Sequence, residues 1–249
     1  MNDETIRNGK RLTSLLMMGS AMVSTVRGLN SNPQSLVLSN IQAQIIIREF
    51  LSHAANSSDE KMLKYTLHDR ILFDFTTLDD VSPWTEQSDT VRTVGKSKAV
   101  IVLQTTQEFQ RAIFFTLLNP QPNGAGFAGV RTETNLDLTG MKNIKINCRA
   151  QGSNTGYKVV LRHRGQDNEP NPTYEQFFTV PISAEDFTTI SLPISNFKAY
   201  YRGRVVPDAD PLDVTSITNF GLQVYGGVYE PVHQGGVSSL EINTITVTS

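Results

Sequence analysis

The spacing of apolar residues changes along this chain, and the change predicts where its β structure begins. From Ile71 onward, apolar and polar residues alternate in short runs separated by glycine, proline, asparagine and aspartate. Such alternation is typical of strands with one buried and one solvated face. In residues 143–150, isoleucine, cysteine and alanine share one face, while lysine, asparagine and arginine occupy the other. The pattern therefore predicts an all-β domain.

About ten short strands with turn residues between them indicate a β-sandwich of the jelly-roll type. In the last strand, the apolar phase slips between Ile242 and Ile245, which predicts a β-bulge or a strand edge. The predicted strands lie at residues 71–75, 99–103, 112–118, 126–132, 143–150, 157–163, 175–180, 188–194, 220–224 and 240–247.

The first part of the chain has a helical rather than an alternating texture. Within residues 35–53, leucine and isoleucine recur at the spacing of one helix face. We therefore predict an N-terminal arm at residues 1–69, helical or extended, and a β-sandwich domain at residues 70–249.

The start of the arm has two interpretations. Basic residues precede a short apolar stretch at residues 12–26, which is the form of a weak targeting segment. Asp3 and Glu4 count against that interpretation, and the alternative is an arm that docks on a partner.

Composition excludes several functional classes. The formal net charge is −2, so no overall positive field attracts nucleic acid or anionic lipid. The single cysteine, Cys148, excludes an internal disulfide and a cysteine-rich zinc site, and by parity it faces the core. No stretch reaches the roughly 18 uninterrupted apolar residues of a membrane-spanning helix. We expect a protein that is at most peripheral to a membrane.

Residues 124–129 match the G-x-G-x-x-G pattern of dinucleotide-binding proteins. That site requires a strand before the glycines and a helix after them, because the helix N-terminus binds the pyrophosphate. Here a turn-rich stretch precedes the glycines and a strand-like stretch follows them. We interpret the motif as a hairpin that enters a strand.

Acidic residues and histidines form no catalytic or metal-ligating pattern. The histidines lack H-x-H and H-E-x-x-H spacing, and His163 is predicted to be a partly buried structural residue. A glycosidase needs two facing acids, and no pair stands out among the acids on or beside strands: Asp74, Asp79, Asp80, Asp137, Glu175 and Glu241. Loop acids leave a calcium site as an alternative: Asp79, Asp80, Asp208 and Asp210. We predict no enzyme activity, no cofactor and no metal.

One run of residues favours a binding surface. Tyr200, Tyr201, Arg202 and Arg204 lie in a predicted loop, and tyrosine and arginine are the residue types of interface hot spots. The alternative is that the arginines pack on their neighbouring tyrosines. Trp84 also has two interpretations, as a core or lid residue or as a platform for a sugar ring. We predict these five as candidate partner-binding residues.

An ordered series of motifs across residues 70–248 resembles the complex I intermediate-associated protein 30 family. The chain departs from the family pattern at Val94, where glycine is usual, and at Thr188, where an aromatic residue is usual. The motifs that carry the resemblance are Trp84, Ser88-Asp89, Gly95-Lys96-Ser97, Gly126-Phe127, Tyr174–Phe177, Leu192–Phe197, Arg202-Gly203-Arg204, Phe220–Leu222 and Gly236–Ile242.

The resemblance implies a galactose-binding-like jelly roll and a non-enzymatic role in an organelle. It implies a scaffold, assembly or linker protein that binds subunits of a large energy-converting complex, either respiratory complex I in the mitochondrion or a photosynthetic complex in the chloroplast. The alternatives are a structural subunit of a plastid photosystem or antenna and a carbohydrate-binding module. Protein subunits are the expected partners, and nucleic acid is not expected.

Overall fold

The structure, a computed structural model, describes residues 69–122, 124–228 and 232–249. Their regular structure consists of two antiparallel β-sheets around a shared apolar core, which confirms the predicted all-β sandwich. Apart from Asp69, the predicted arm at residues 1–69 lies outside the described residues. The division of the chain and both interpretations of its first residues therefore stay predictions.

The strands are short, except for the last one. They run, in chain order, β1 Asp69–Asp74, β2 Thr85–Glu86, β3 Lys98–Thr105, β4 Gln110–Leu118, β5 Phe127–Leu136, β6 Asn143–Gly152, β7 Gly156–His163, β8 Thr173–Thr179, β9 Thr188–Pro193, β10 Lys198–Tyr201, β11 Arg204–Val205, β12 Ile217–Tyr225 and β13 Gly236–Thr248. Single 3-10 turns form at Asp89–Val91 and Ile194–Asn196.

Each sheet contains one of the last two strands of the chain as an interior strand: β13 in one sheet and β12 in the other. One sheet has six strands in the order β3-β4-β13-β6-β9, with β1 also paired to β13. The other has seven strands in the order β11-β10-β8-β7-β12-β5-β2. Along one side of β13, residues 236–242 pair with β4 and residues 244–248 pair with β1, while β6 pairs along the other side. The long strand therefore holds two shorter strands end to end.

The bulge predicted in the last strand is present. The β13 register shifts between Ile242 and Thr244, and Ile242 and Ile245 are both fully buried although they lie three residues apart. A second register shift lies between Ile217 and Asn219 in β12. It lets Ile217 and Phe220 both face the core, so that Asn219 faces outward.

Trp84 belongs to the core. It packs edge-on against Phe73, with 5.0 Å between ring centroids, and contacts Phe75 and Phe220 at 5.8 and 6.2 Å. Its exposed fraction is 8%, so the indole is not a surface platform for a sugar or a partner, which corrects its place among the candidate binding residues. Cys148 is fully buried as predicted, and burial raises the pKa of its thiol to about 12.

The Tyr/Arg run forms a hairpin rather than a loop. Tyr200 and Tyr201 end β10, Arg204 begins β11, and Tyr201 pairs with Arg204. Between them, Arg202 and Gly203 have φ angles of 51° and 77°, the combination that a two-residue type I′ turn requires. Both strands were missed because runs this short carry too few residues to show an alternation.

Candidate functional site

A groove of about 550 Å³ lies on the outer face of the seven-stranded sheet. Outward-facing residues of β5, β7, β8 and β12 form its floor, and the β10–β11 hairpin and the loops before β3 and after β7 line its sides. Because side chains alternate along a strand, β5, β7, β8, β10 and β12 each supply residues both to the core and to the groove.

The floor of the groove has a glycine at its centre and a carboxamide side chain on either side of it. Along β12, Asn219, Gly221 and Gln223 face the groove, and Val160 of β7 lies opposite Gly221. Since Gly221 has no side chain, a ligand can approach the sheet closely at this point. Asn219 and Gln223 are 5% and 8% exposed, and neither side-chain amide has a hydrogen-bond partner within the described residues.

A buried ion pair lies beside the centre of the floor. Lys158 Nζ is 2.6 Å from Glu175 Oε2, and Thr173 Oγ1 donates to Glu175 Oε1 at 2.8 Å. Both partners of the pair are buried, so each charge depends on the other for compensation. The Glu175 carboxylate is therefore engaged by Lys158.

A single carboxylate links two sides of the groove. Glu169 accepts hydrogen bonds from Arg202 at 3.1 Å and from Arg92 at 3.3 Å. The hydrogen bond from Arg202, followed by the charges of both arginines, lowers the pKa of Glu169. These side chains are about half exposed, so the bridge adds little to stability and is easily exchanged for other partners.

The aromatic rings of the groove are engaged with one another and with cations. Phe177 makes edge contacts with Tyr225 and Tyr200, at centroid distances of 4.9 and 5.5 Å. Lys158 Nζ lies 5.6 Å from the centre of the Phe177 ring, and Arg202 lies 5.2 Å from that of Tyr201.

The structure separates the predicted binding residues. Tyr200, Tyr201 and Arg202 line the groove, whereas Arg204 lies exposed on β11 outside it. The alternative interpretation, in which an arginine packs on a neighbouring tyrosine, holds for Arg202 and Tyr201. That these side chains contact a partner stays a prediction.

The six-stranded sheet has an unusual outer face at one end. Antiparallel sheets expose polar side chains on their solvated side, but here Val100, Val102, Phe115, Leu117 and Val237 point outward on β3, β4 and β13. They are cross-strand neighbours, since Val100 pairs with Phe115 and Leu117 pairs with Val237. Val100 is 50% exposed, Leu117 45% and Val237 64%. We call these five residues the apolar face.

Farther along the same sheet, Glu241 holds two arginines. Arg149 Nη2 lies 2.8 Å from both carboxylate oxygens, Arg111 Nη1 lies 2.6 Å from Oε2, and Gln151 donates at 2.8 Å. Phe187 covers both guanidinium groups, with its ring centre 5.0 Å from Arg149 and 5.2 Å from Arg111. Glu241 and Glu175 therefore lie on different sheets and cannot act as a facing pair of acids.

The other sequence motifs have structural explanations. The G-x-G-x-x-G glycines lead into β5, so no helix follows them and the nucleotide interpretation is excluded. Within the described residues, no three histidine, cysteine, aspartate or glutamate side chains gather as a metal-binding group, and the calcium alternative for the four loop acids stays untested. No helix in the described part of the chain is long and apolar enough to cross a membrane.

The burial and hydrogen bonding of His163 predict that the stability of the domain depends on pH. His163 is buried, and its Nδ1 accepts a hydrogen bond from the Asp213 backbone N–H at 2.7 Å, which requires the neutral ring. Burial, followed by the charge of Arg164, lowers the pKa of His163 in the folded protein. At a pH between this lowered pKa and the pKa in the unfolded chain, the unfolded chain therefore binds more protons than the folded protein.

This contribution to stability is present above the unfolded pKa of about 6.5 and is lost as the pH falls below it. We expect the urea denaturation midpoint of the wild type to decrease when the pH is lowered from 7.5 to 5.5. His163→Asn, whose Oδ1 can accept the same hydrogen bond, is expected to fall less. An equal fall in both proteins would show that His163 does not cause it.

Comparison with known proteins bears on the fold and the family. Residues 73–242 match the family described as complex I intermediate-associated protein 30. Of the two energy-converting complexes that the sequence resemblance left open, this description names complex I. An uncharacterized protein of Schizosaccharomyces pombe is 32% identical over 123 residues, 46% of this chain and 55% of that protein, so the chain spans about half the length of this curated relative.

Solved structures of similar fold include carbohydrate-binding modules. A family 11 module from Clostridium thermocellum, in complex with a β-1,3-1,4-mixed-linked tetrasaccharide, superposes with a TM-score of 0.53 at 16% identity, covering 73% of this chain and 95% of the module. The family 11 module of the cellulase Lic26A-Cel5E of the same organism gives 0.52 at 14% identity, with the same coverage. At such identities the likeness shows the fold alone.

Proposed function

Because the chain belongs to the complex I intermediate-associated protein 30 family, we propose that it is a non-enzymatic scaffold for the assembly of mitochondrial respiratory complex I. In this role it binds one or more protein subunits of an assembly intermediate and holds them until later subunits join.

The observation that carries the proposal is the apolar face. Single exposed apolar residues are common, but contiguous apolar patches on a folded surface mark interaction sites. Five such residues adjoin one another on three neighbouring strands, and half-buried Ile113 pairs with Val102 beside them. Covering this surface with a partner subunit removes apolar area from water and supplies the driving force for binding.

The groove supports a binding role rather than a catalytic one. Its carboxylates Glu175 and Glu169 are held by Lys158 and by arginines. A general acid or base needs a pKa close to the working pH, whereas the neighbours of Glu169 lower its pKa. The proposal therefore assigns no catalytic residue.

Two charges on the apolar face are expected to weaken subunit capture strongly. The test uses the tagged full-length double variant Phe115→Lys/Leu117→Glu, which keeps the net charge. The variant is expressed in mitochondria and purified from solubilised membranes. Burying unpaired charges in the interface opposes binding, so we expect recovery of complex I subunits to fall at least about tenfold, as measured by quantitative mass spectrometry.

The matched control is Ile182→Lys/Val205→Glu, which places the same charges at residues that are 53% and 49% exposed outside the apolar face. The control is expected to recover the same subunits as the wild type. Equal recovery with both double variants, each folded by circular dichroism, would contradict the role of the apolar face. Absence of complex I subunits from the wild-type sample would contradict the proposed function itself.

A further inference from the structure

We infer that the groove of the seven-stranded sheet binds an extended polypeptide segment through the main-chain amides of that segment. This inference rests on the proposed function, since it names the chemistry of a second contact with a partner protein. It concerns a surface on the other sheet from the apolar face.

The first step is the unmet hydrogen-bonding capacity of the floor. Side-chain amides that have no partner within the protein and reach a groove are open to hydrogen bonds with a ligand. Asn219 and Gln223 are both more than nine-tenths buried and face the groove, and their amides have no partner within the described residues. A carboxamide offers two N–H donors and a carbonyl acceptor, so each needs a ligand that both accepts and donates.

The second step is spacing. The two carboxamides lie four residues apart on β12, which is about 13 Å along a strand. An extended peptide has the same rise per residue and offers one N–H and one C=O at every residue. If the ligand runs along β12, two of its peptide groups that are four residues apart therefore have the same spacing as the two carboxamides and can bond to both. Gly221, between them, lets the ligand backbone approach the sheet.

The third step concerns the charges and the rings. Arg92, Glu169 and Arg202 present both signs of charge in exposed pairs, which can exchange with charged side chains of a peptide at small cost. A sugar ring would instead need a free flat aromatic face. The Phe177 ring is contacted by two tyrosines and by Lys158, and Tyr201 carries Arg202. The exposed charges of both signs, together with the engagement of the Phe177 and Tyr201 rings, therefore favour a polypeptide over an oligosaccharide.

The test begins with a library of short random peptides displayed on phage and selected on the immobilised full-length protein. The most enriched sequence is then synthesised, and its affinity is measured by isothermal titration calorimetry. We expect Asn219→Ala/Gln223→Ala to bind this peptide at least about tenfold more weakly than the wild type, because each variant side chain loses its hydrogen bonds to the ligand. Neither substitution removes a described hydrogen bond within the protein, so both are expected to fold.

Two controls make the result specific. Gln104→Ala removes an exposed carboxamide from β3 of the other sheet and is expected to bind the peptide as the wild type does. Phe115→Lys/Leu117→Glu is also expected to bind the peptide as the wild type does. Failure of peptide binding in the groove is therefore distinguishable from failure of subunit capture by the apolar face.

The inference is overturned if no peptide is enriched, or if the enriched peptide binds the double variant as tightly as the wild type. A panel of neutral β-glucan and xylan oligosaccharides is titrated in parallel. Binding of one of these that is lost in the double variant would assign the groove to glycans and would also overturn the inference. In both cases the capture of complex I subunits through the apolar face would remain a separate result.

Discussion

Replacing Glu241 with alanine is expected to lower the free energy of unfolding by about 3 to 5 kcal/mol, the usual cost of removing one partner of a buried charge pair. Glu241 is the carboxylate that compensates Arg111 and Arg149, whose side chains are only 12% and 14% exposed. Without it, two neighbouring guanidinium groups stay buried and repel each other. The Nε atoms of both arginines are already buried without a hydrogen-bond partner, so the loss of Glu241 adds further unpaired N–H groups to the cluster.

Urea denaturation followed by the fluorescence of the single tryptophan measures this effect. Glu169→Ala is the matched control, because it also removes a carboxylate bound by two arginines, but at about half exposure, where each pair contributes about 0 to 1 kcal/mol. Replacing all three charges, by Arg111→Met/Arg149→Met/Glu241→Leu, is expected to recover most of the loss. A loss of less than about 1 kcal/mol in Glu241→Ala would contradict the structural role.

Trp84→Ala is expected to cost about 3 to 5 kcal/mol of unfolding free energy, the range for deleting a large buried aromatic side chain. The indole fills the space between Phe73, Phe75 and Phe220, so its removal leaves a cavity where both sheets contribute to the core. Circular dichroism must follow the unfolding, since the substitution removes the only tryptophan.

Trp84→Phe keeps a ring against the same neighbours and is expected to lose less than half as much. Equal losses in the two variants would show that the space collapses around either side chain. Because Trp84→Ala is expected to weaken the whole domain, reduced partner binding by this variant would not make Trp84 a contact residue. A contact role requires Trp84→Phe to fold normally and still lose the partner.

Most of the fold could be predicted from the sequence, because alternation is a local signal that each strand carries by itself. Even the bulge in β13 was visible, since Ile242 and Ile245 cannot both face the core of a regular strand. The short strands β2, β10 and β11 could not be predicted, because pairing with longer neighbours rather than their own pattern makes them strands. The turn at Arg202-Gly203 was likewise not predicted, because a non-glycine residue such as Arg202 rarely adopts the positive φ that it has there.

The candidate site was harder to predict, because it depends on which strands become neighbours. Tyr200 and Tyr201 could be chosen by residue type, but the contribution of Lys158 and Glu175 to the same groove follows only from the pairing of β7 with β8. Asn219 gave a misleading signal, because regular alternation from Ile217 would turn it inward. The apolar face was missed for a similar reason, since valine and phenylalanine in a strand are normally assigned to the core.

The apolar face and the groove lie on the outer sides of two different sheets, so the core of the sandwich separates them. If both surfaces bind as proposed, the two contacts do not overlap, and the domain joins two partners in a ternary complex. A linker of this kind has an optimal abundance. When it is scarce, few partners are joined, and when it is in large excess, each partner occupies a separate copy and joining fails again. The yield of joined intermediates would then depend on the ratio of this protein to its partners as well as on its affinities.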